Sequence, residues 1–329
     1  MANYLLKVER LYKSFGRIPV LKNINLDINK GEILGFIGPS GTGKTTLLSI
    51  IAGVIKPDRG NIKYLDENLI LNNNPTFRSV YSNLKRFTAF FGFATQTPSF
   101  YEKMTVLENL LYFGKMYRLS AATLKSNVKT LLSLMELETS KNKMAAALSG
   151  GMARRLDIAC SMIHNPKLLL LDEPTSDLDP YLRDKIWKLI NKINSAGTTV
   201  VLSTHSVNDL ETLCTRVAIL KAGRLIEVDS PSALKEKVSS GHSILIRTTK
   251  EHAEELFEEV KLKLGYRQAH EALSVSMVAI DSEIIEIIIT CKHPVKVLNQ
   301  ITRLLEVKKN QISELILKSP SLEQAYLSL

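Results

Sequence analysis

The sequence predicts a two-domain protein: an α/β domain over about residues 1–230, then a small α+β domain over about 240–329. Three observations predict it. Short apolar runs at 33–37 and 168–171 read as buried strands, the first bounded by Gly31 and Gly38. Stretches with helical spacing of apolar residues follow these runs, and such alternation implies a largely parallel sheet. The length, 329 residues, exceeds what one hydrophobic core usually fills, about 250–300 residues.

Taken in order, residues 33–37 form a strand and 45–54 the helix that follows it. Asn72-Asn73-Asn74-Pro75 is a loop signal, so 72–88 reads as a polar, irregular surface insertion. Thr105-Val106-Leu107-Glu108 is a capping-box pattern that opens a helical stretch through Leu137. About 105–165 therefore reads as a helical subdomain inserted in the α/β core. Residues 168–171 and 199–202 are further buried strands. Between them, Leu182, Ile186, Leu189, Ile190 and Ile193 lie on one helical face of 181–193. Ser230-Pro231-Ser232 restarts a helix over 233–238, and Ser239-Ser240-Gly241 reads as a linker. Beyond it come a strand (243–247), a helix (251–264), strands (273–280 and 283–290), a helix (294–305) and a strand (312–317). That βαββαβ order predicts a ferredoxin-like domain, with a last helix over 321–329.

Composition narrows the function classes. The chain is 45% apolar and 23% charged, ordinary for a globular protein. No apolar run reaches the roughly 18 residues that cross a bilayer. Lys7, Glu9 and Arg10 interrupt the first ten residues, so no apolar signal core is present. The chain is therefore expected to stay in the cytosol and to form no pore. Cys160, Cys214 and Cys291 are scattered, with no CxxC pair, which predicts neither disulfides nor a zinc site. The net charge of +10 lies wholly in 1–229, with 30 Lys and Arg against 20 Asp and Glu, while 230–329 holds 13 of each. A basic domain can meet nucleotide phosphates, anionic lipid or nucleic acid. The basic residues are dispersed, so no nucleic acid partner is expected.

Gly38-Pro39-Ser40-Gly41-Thr42-Gly43-Lys44-Thr45 fits G-x-x-x-x-G-K-[ST] between a strand and a helix. Its glycines let backbone N–H groups converge on phosphate oxygens, and the next helix points its positive end there. Lys44 would neutralise β- and γ-phosphates, and the Thr45 hydroxyl would hold Mg²⁺. The nucleotide-binding positions run from Gly38 through Thr45 to Thr46. Leu168-Leu169-Leu170-Leu171-Asp172-Glu173 is a buried strand ending in two carboxylates. Asp172 suits a hard cation, and Glu173, pointing elsewhere, could polarise an attacking water. Leu148-Ser149-Gly150-Gly151-Met152 opens another helix, with Ser149 a good N-cap and the glycines leaving backbone N–H groups accessible to an anion. It lies 105 residues past Lys44 and 23 before Asp172.

With these motifs in this order, residues 4–230 resemble the nucleotide-binding subunit of an ABC transporter, a P-loop NTPase cassette. The resemblance adds Gln96, Ser176-Asp177-Leu178-Asp179 and His205. It implies that Phe15, with Tyr12 as a rival, stacks on adenine, and that Gln96 touches Mg²⁺ and water and senses the membrane partner. It implies that Asp179 communicates across a dimer and that His205 contacts the γ-phosphate. It further implies two cassettes head to tail, homo- or heterodimeric, with ATP on Lys44 of one covered by Ser149, Gly150 and Gly151 of the other. The signature departs from the family at Met152, where Gln is usual; Met donates no side-chain hydrogen bond, while the backbone donors survive. The C-terminal domain, with its ending Ser321-Leu322-Glu323-Gln324-Ala325-Tyr326-Leu327, is similar to that of the drug, antibiotic and polysaccharide exporter branch.

The implied function is ATP hydrolysis that drives export through a separate membrane permease, by a peripheral subunit on the cytoplasmic face of the cell membrane. Two alternatives are a non-transport ABC ATPase acting on ribosome or nucleic acid, and an importer ATPase. Ribosome-associated relatives carry two cassettes in one chain, and DNA-repair relatives insert a long coiled coil between phosphate loop and signature; neither pattern fits a single loop and 105 residues. Importers more often append a β-barrel-like domain, whereas this tail alternates strands and helices.

Overall fold

The computed structural model describes residues 4–71, 74–82, 87–238, 242–264, 272–318 and 322–323. Contacts divide the chain into Met1–Pro231 and Ser232–Leu329. The first unit runs β1 (Tyr4–Phe15), β2 (Ile18–Asn29), β3 (Ile33–Ile37), α1 (Lys44–Ile51), β4 (Arg59–Leu71), β5 (Asn74–Ser79) and β6 (Phe91–Ala94). Three helices follow, α2 (Val106–Met116), α3 (Ala121–Leu134) and α4 (Gly150–Met162). The unit closes with β7 (Leu168–Asp172), α5 (Pro180–Ser195), β8 (Thr199–Thr204), α6 (Val207–Leu213), β9 (Arg216–Lys221) and β10 (Arg224–Asp229).

Every residue of β3, β7 and β8 is buried, as expected for strands covered on both faces. They form a six-stranded sheet in the order β10-β9-β3-β8-β7-β6. All its pairings are parallel except that of β10 with β9 at one edge. A second, antiparallel sheet has the order β2-β1-β4-β5.

The expected irregular insertion at 72–88 is corrected here. Residues 74–79 form β5, antiparallel to β4 with Leu65 opposite Phe77. Val80 and Phe87 are fully buried. The Phe87 ring lies 5.1 Å from Tyr64 and 5.0 Å from Phe91, centroid to centroid, so apolar burial and not polarity decides this segment. Residues 72–73 and 83–86 lie outside the described residues. The helical stretch expected from Thr105 consists of two helices: α2 stops at Met116, and Ser120 caps α3, accepting from Thr123 N. The capping box forms, with Glu108 N on Thr105 Oγ1 at 3.1 Å and Thr105 N on Glu108 Oε2 at 2.8 Å.

His164, just past α4, stacks on Tyr117 with 3.7 Å between ring centroids. Its Nε2 lies 3.0 Å from the Phe91 carbonyl oxygen. A carbonyl only accepts, so Nε2 carries the proton and the buried Nδ1 has no partner. Burial pushes the pKa down from 6.5 to about 4, against the pull of the Phe91 bond. In the unfolded chain His164 takes up a proton below about 6.5, so stability is lost as pH falls from there toward about 4. The full loss is on the order of 3 kcal/mol. His164→Gln is expected to flatten the drop in melting temperature between pH 7.5 and pH 5. An unchanged drop would assign the acid sensitivity elsewhere.

The second unit begins in α7 (Pro231–Val238) and continues β11 (His242–Thr249), α8 (Lys250–Leu264), β12 (Ala272–Ala279), β13 (Ile284–Cys291), α9 (Pro294–Val307) and β14 (Ile312–Lys318). Its antiparallel sheet has the order β12-β13-β11-β14, the ferredoxin-like arrangement. Ile244, Ile246, Leu256, Val260, Ile287 and Ile301 fill its core. The expected linker at 239–241 and most of the expected last helix, 321 and 324–329, lie outside the described residues. No helix among the described residues is long and apolar enough to cross a membrane.

Candidate functional site

In an open parallel sheet, groups that bind ligands gather beyond the carboxyl ends of the strands. The register places four such ends side by side: Ile37 pairs with Thr204, Asp172 with Ser203, and Ala94 with Leu171. Gly38, Glu173, His205 and the Thr95-Gln96 turn therefore leave the sheet at one edge.

The glycine-rich turn is fixed by its backbone. Gly41 and Gly43 have φ of +80° and +103°, the left-handed region that side chains disfavour. A Cβ on Gly38 would stand 2.3 Å from the Leu220 carbonyl oxygen. Lys44 opens α1, and its buried ammonium donates to the carbonyls of Gly38 at 2.7 Å and Pro39 at 3.3 Å. Desolvation lowers the Lys44 pKa, while the carboxylates of Glu173 and Asp172 oppose that shift. Thr42 Oγ1 closes the turn on the Pro39 carbonyl at 2.8 Å. Pro39, Ser40, Gly41 and Thr45 are exposed, and Thr46 is half-buried. No side chain caps α1, so its first N–H groups stay open to an anion.

Asp172 is buried at the end of β7, and Oδ1 accepts a short hydrogen bond from Ser203 Oγ. The same Ser203 hydroxyl accepts from Glu173 N at 3.1 Å. Glu173 has φ +48°, a conformation that costs on the order of 1–3 kcal/mol and needs such bonds to persist. Its Oε2 accepts from His205 Nδ1 at 3.0 Å. Glu173 is 13% exposed and His205 68% exposed, so the carboxylate is sheltered and the imidazole faces outward. Ser203 belongs to none of the motifs above, although a hydroxyl one strand across from an acidic strand end is a usable signal.

Other expected site residues do not join this cluster. Gln96 is exposed. Phe15 is 49% exposed at the end of β1, with the Lys13 ammonium 5.4 Å from its ring centroid; Tyr12 is 39% exposed. Asp179 caps α5, accepting from Leu182 N at 2.9 Å, and Pro180 takes the first helical position. Ser149 stands at the N-cap of α4, but its hydroxyl makes no capping bond, which corrects the expected cap. Ser149 and Gly150 are exposed, and Gly151 packs against Leu182. Among the described residues, no hydrogen bond links Ser149, Gly150 or Gly151 to Lys44, Asp172, Glu173 or His205.

Two residues of α4 missed by sequence reasoning lie under the cluster. Arg154 and Asp157 are buried and ion-paired at 3.3 Å. Burial lowers the Arg154 pKa and raises that of Asp157, each partly offset by the other's charge. Arg154 donates to backbone carbonyls of Thr95, Asp172 and Pro174.

Comparison with known proteins fits this geometry. Residues 21–176 match the sequence family described as ABC transporter. The Nod factor export ATP-binding protein I of Bradyrhizobium diazoefficiens is 36% identical over 234 residues, 71% of this chain and 73% of that protein. The linearmycin resistance ATP-binding protein LnrL of Bacillus subtilis is 28% identical over 326 residues, 99% of this chain and 98% of its own length. A solved dimeric ATP-binding cassette in a post-hydrolysis state with ADP and Pi is 32% identical, covering 69% of this chain and 98% of its own, at a TM-score of 0.57.

Proposed function

The chain belongs to the ABC transporter family as an ATP-binding subunit, and from that premise we propose that it drives export through a separate membrane permease by hydrolysing ATP between two cassettes set head to tail. Subunits of this kind bind nucleotide, dimerise and pair with membrane permeases. What supports export is the likeness to the Nod factor export ATP-binding protein I over 71% of this chain, and the likeness to LnrL runs along both units. In this reading residues 1–230 are the ATPase domain, 240–329 an accessory domain, and the chain sits at the cytoplasmic face of the membrane.

The observation that carries the reading is the convergence of Lys44, Asp172, Glu173 and His205 at neighbouring strand ends. Gly38 through Thr46 cradle the phosphates, and Lys44 exchanges the Gly38 and Pro39 carbonyls for phosphate oxygens. Glu173 orients the water that attacks the γ-phosphorus and accepts its proton. His205, held by Glu173, reaches the γ-phosphate from the open side. Phe15 stacks on adenine, with Asp58 holding its strand through Ser14 N at 2.6 Å. Gln96 reports the permease to the site, and Asp179 borders the seam between protomers. Ser149, Gly150 and Gly151 of one protomer cover the nucleotide of its partner, with the uncapped Ser149 hydroxyl and open N–H groups as donors.

The donors present suit Mg²⁺. The Thr45 hydroxyl, the Asp172 carboxylate and the Gln96 amide oxygen are all hard oxygen ligands, and Asp172 has one oxygen committed to Ser203. When bound, the ion would neutralise charge building on the phosphates.

Tagged chain extracted from its native membranes in mild detergent is expected to bring down a multi-span protein that stimulates its ATP turnover. A set of ribosomal proteins alone would defeat the transport reading.

A further inference from the structure

Arg154 and Asp157 sit one and two turns into α4, the helix that starts with Gly150 and Gly151. The guanidinium reaches three backbone carbonyls at once: Thr95 at 2.6 Å from Nη1, Asp172 at 2.8 Å from Nη2 and Pro174 at 3.0 Å from Nε. Thr95 precedes Gln96, and Asp172 and Pro174 flank Glu173. Asp157 holds Arg154 Nη1 through Oδ2 at 3.3 Å, and its Oδ1 accepts from Ser99 N at 2.9 Å and Ser99 Oγ at 3.0 Å. The pair thus grips the Gln96 turn on both sides and the Glu173 turn on both sides, from the body of a third element. Arg154 is 6% exposed and Asp157 fully buried, so neither ion is an ornament of the surface. A buried pair is weak support for stability alone, because desolvation consumes much of the attraction. What the planar fork supplies is fixed geometry, which a lysine ammonium lacks.

We propose that Arg154 and Asp157 are positioning residues that make the Ser149 helix start, the Gln96 turn and the Glu173 turn move as one piece. Seating of α4 over a partner protomer's nucleotide, or a push on the Gln96 turn, then sets the place of the Glu173 carboxylate. This rests on the roles proposed above for Ser149, Gln96 and Glu173. Neither side chain touches nucleotide, so removing the fork shifts turnover and leaves the phosphate grip of Lys44 unaltered.

The test compares Arg154→Lys and Asp157→Asn with the parent chain in three readings: fluorescent-ATP affinity, kcat, and ATP-dependent dimerisation in a Glu173→Gln background. The expected result is a kcat lowered about a hundredfold in Arg154→Lys, with ATP affinity held within about threefold and ATP-dependent dimers weakened. Asp157→Asn, which keeps one acceptor oxygen for Ser99 but takes the counter-charge from the buried Arg154, is expected to lower kcat in the same direction, with a lower melting temperature but a cooperative unfolding transition retained. Either variant folding normally and turning over at the parent rate would overturn the proposal. So would a fall in ATP affinity parallel to the fall in kcat, since that is the mark of a damaged nucleotide pocket. Glu173→Gln alone separates the two readings: if it hydrolyses ATP at the parent rate, the role of Glu173 fails and not the coupling.

Discussion

Glu173→Gln is expected to lower ATP turnover by about 10²–10⁴-fold, the range that a positioned general base contributes, while ATP still binds. The substitution keeps shape and volume. It removes only the ability of Oε to take a proton, and the amide can still meet His205 Nδ1, which lies 3.0 Å from Oε2. The backbone turn is held independently, by Glu173 N on the Ser203 hydroxyl and carbonyl. The phosphate grip lies in other residues, so affinity survives. A species that binds but does not cleave should then accumulate as an ATP-dependent dimer, because nucleotide bound between two copies stabilises their association. Single-turnover hydrolysis and size-exclusion chromatography, with and without ATP, read both effects. Undiminished turnover would remove Glu173 from the chemistry.

The parts of this molecule legible in its sequence are those where local pattern and global burial agree. The strands at 33–37, 168–172 and 199–204 are buried throughout, as strands covered on both faces are, and their apolar stretches at 33–37, 168–171 and 200–202 read directly as uninterrupted runs. The glycine-rich turn is legible because φ of +80° and +103° demands glycine where glycine stands. The strand Asn74–Ser79 was hidden because Asn72-Asn73-Asn74-Pro75 speaks for a loop, while the burial of Val80 and Phe87 is settled by partners such as Tyr64. The long hairpin of Tyr4–Phe15 and Ile18–Asn29 is blurred by repeated register shifts, which break the alternation that would announce it. Arg154 is the sharpest case. Its acceptors lie at Thr95, Asp172 and Pro174, distant in sequence, and a carbonyl leaves no mark in the sequence. Side chains that act on other side chains through motif spacing can be read; side chains that act on backbone emerge only from the fold.

Lys44→Ala is expected to remove ATP binding at ordinary concentrations, and the reason lies in how the ammonium is held. It is buried at the mouth of the turn, bonded to two carbonyls, with Asp172 and Glu173 near enough to support its charge against desolvation. Hydrogen bonds from a charged donor contribute about 1.5–3 kcal/mol each. Losing two of them to phosphate oxygens weakens binding by roughly a hundredfold or more, since each 1.4 kcal/mol is tenfold. The alanine leaves the glycines, Thr42 and the start of α1 in place, so the fold should hold and the melting temperature of the nucleotide-free chain should stay close to the parent's. The loss then belongs to charge and not to a collapsed loop. Lys44→Arg sharpens the point: it retains the charge, but a planar guanidinium does not reproduce the compact ammonium that donates to the Gly38 and Pro39 carbonyls at 2.7 Å and 3.3 Å. Arginine should therefore rescue binding poorly. Titration calorimetry with ATP and magnesium measures all three chains, and parent-like affinity in Lys44→Ala would contradict the assignment of this turn to phosphate.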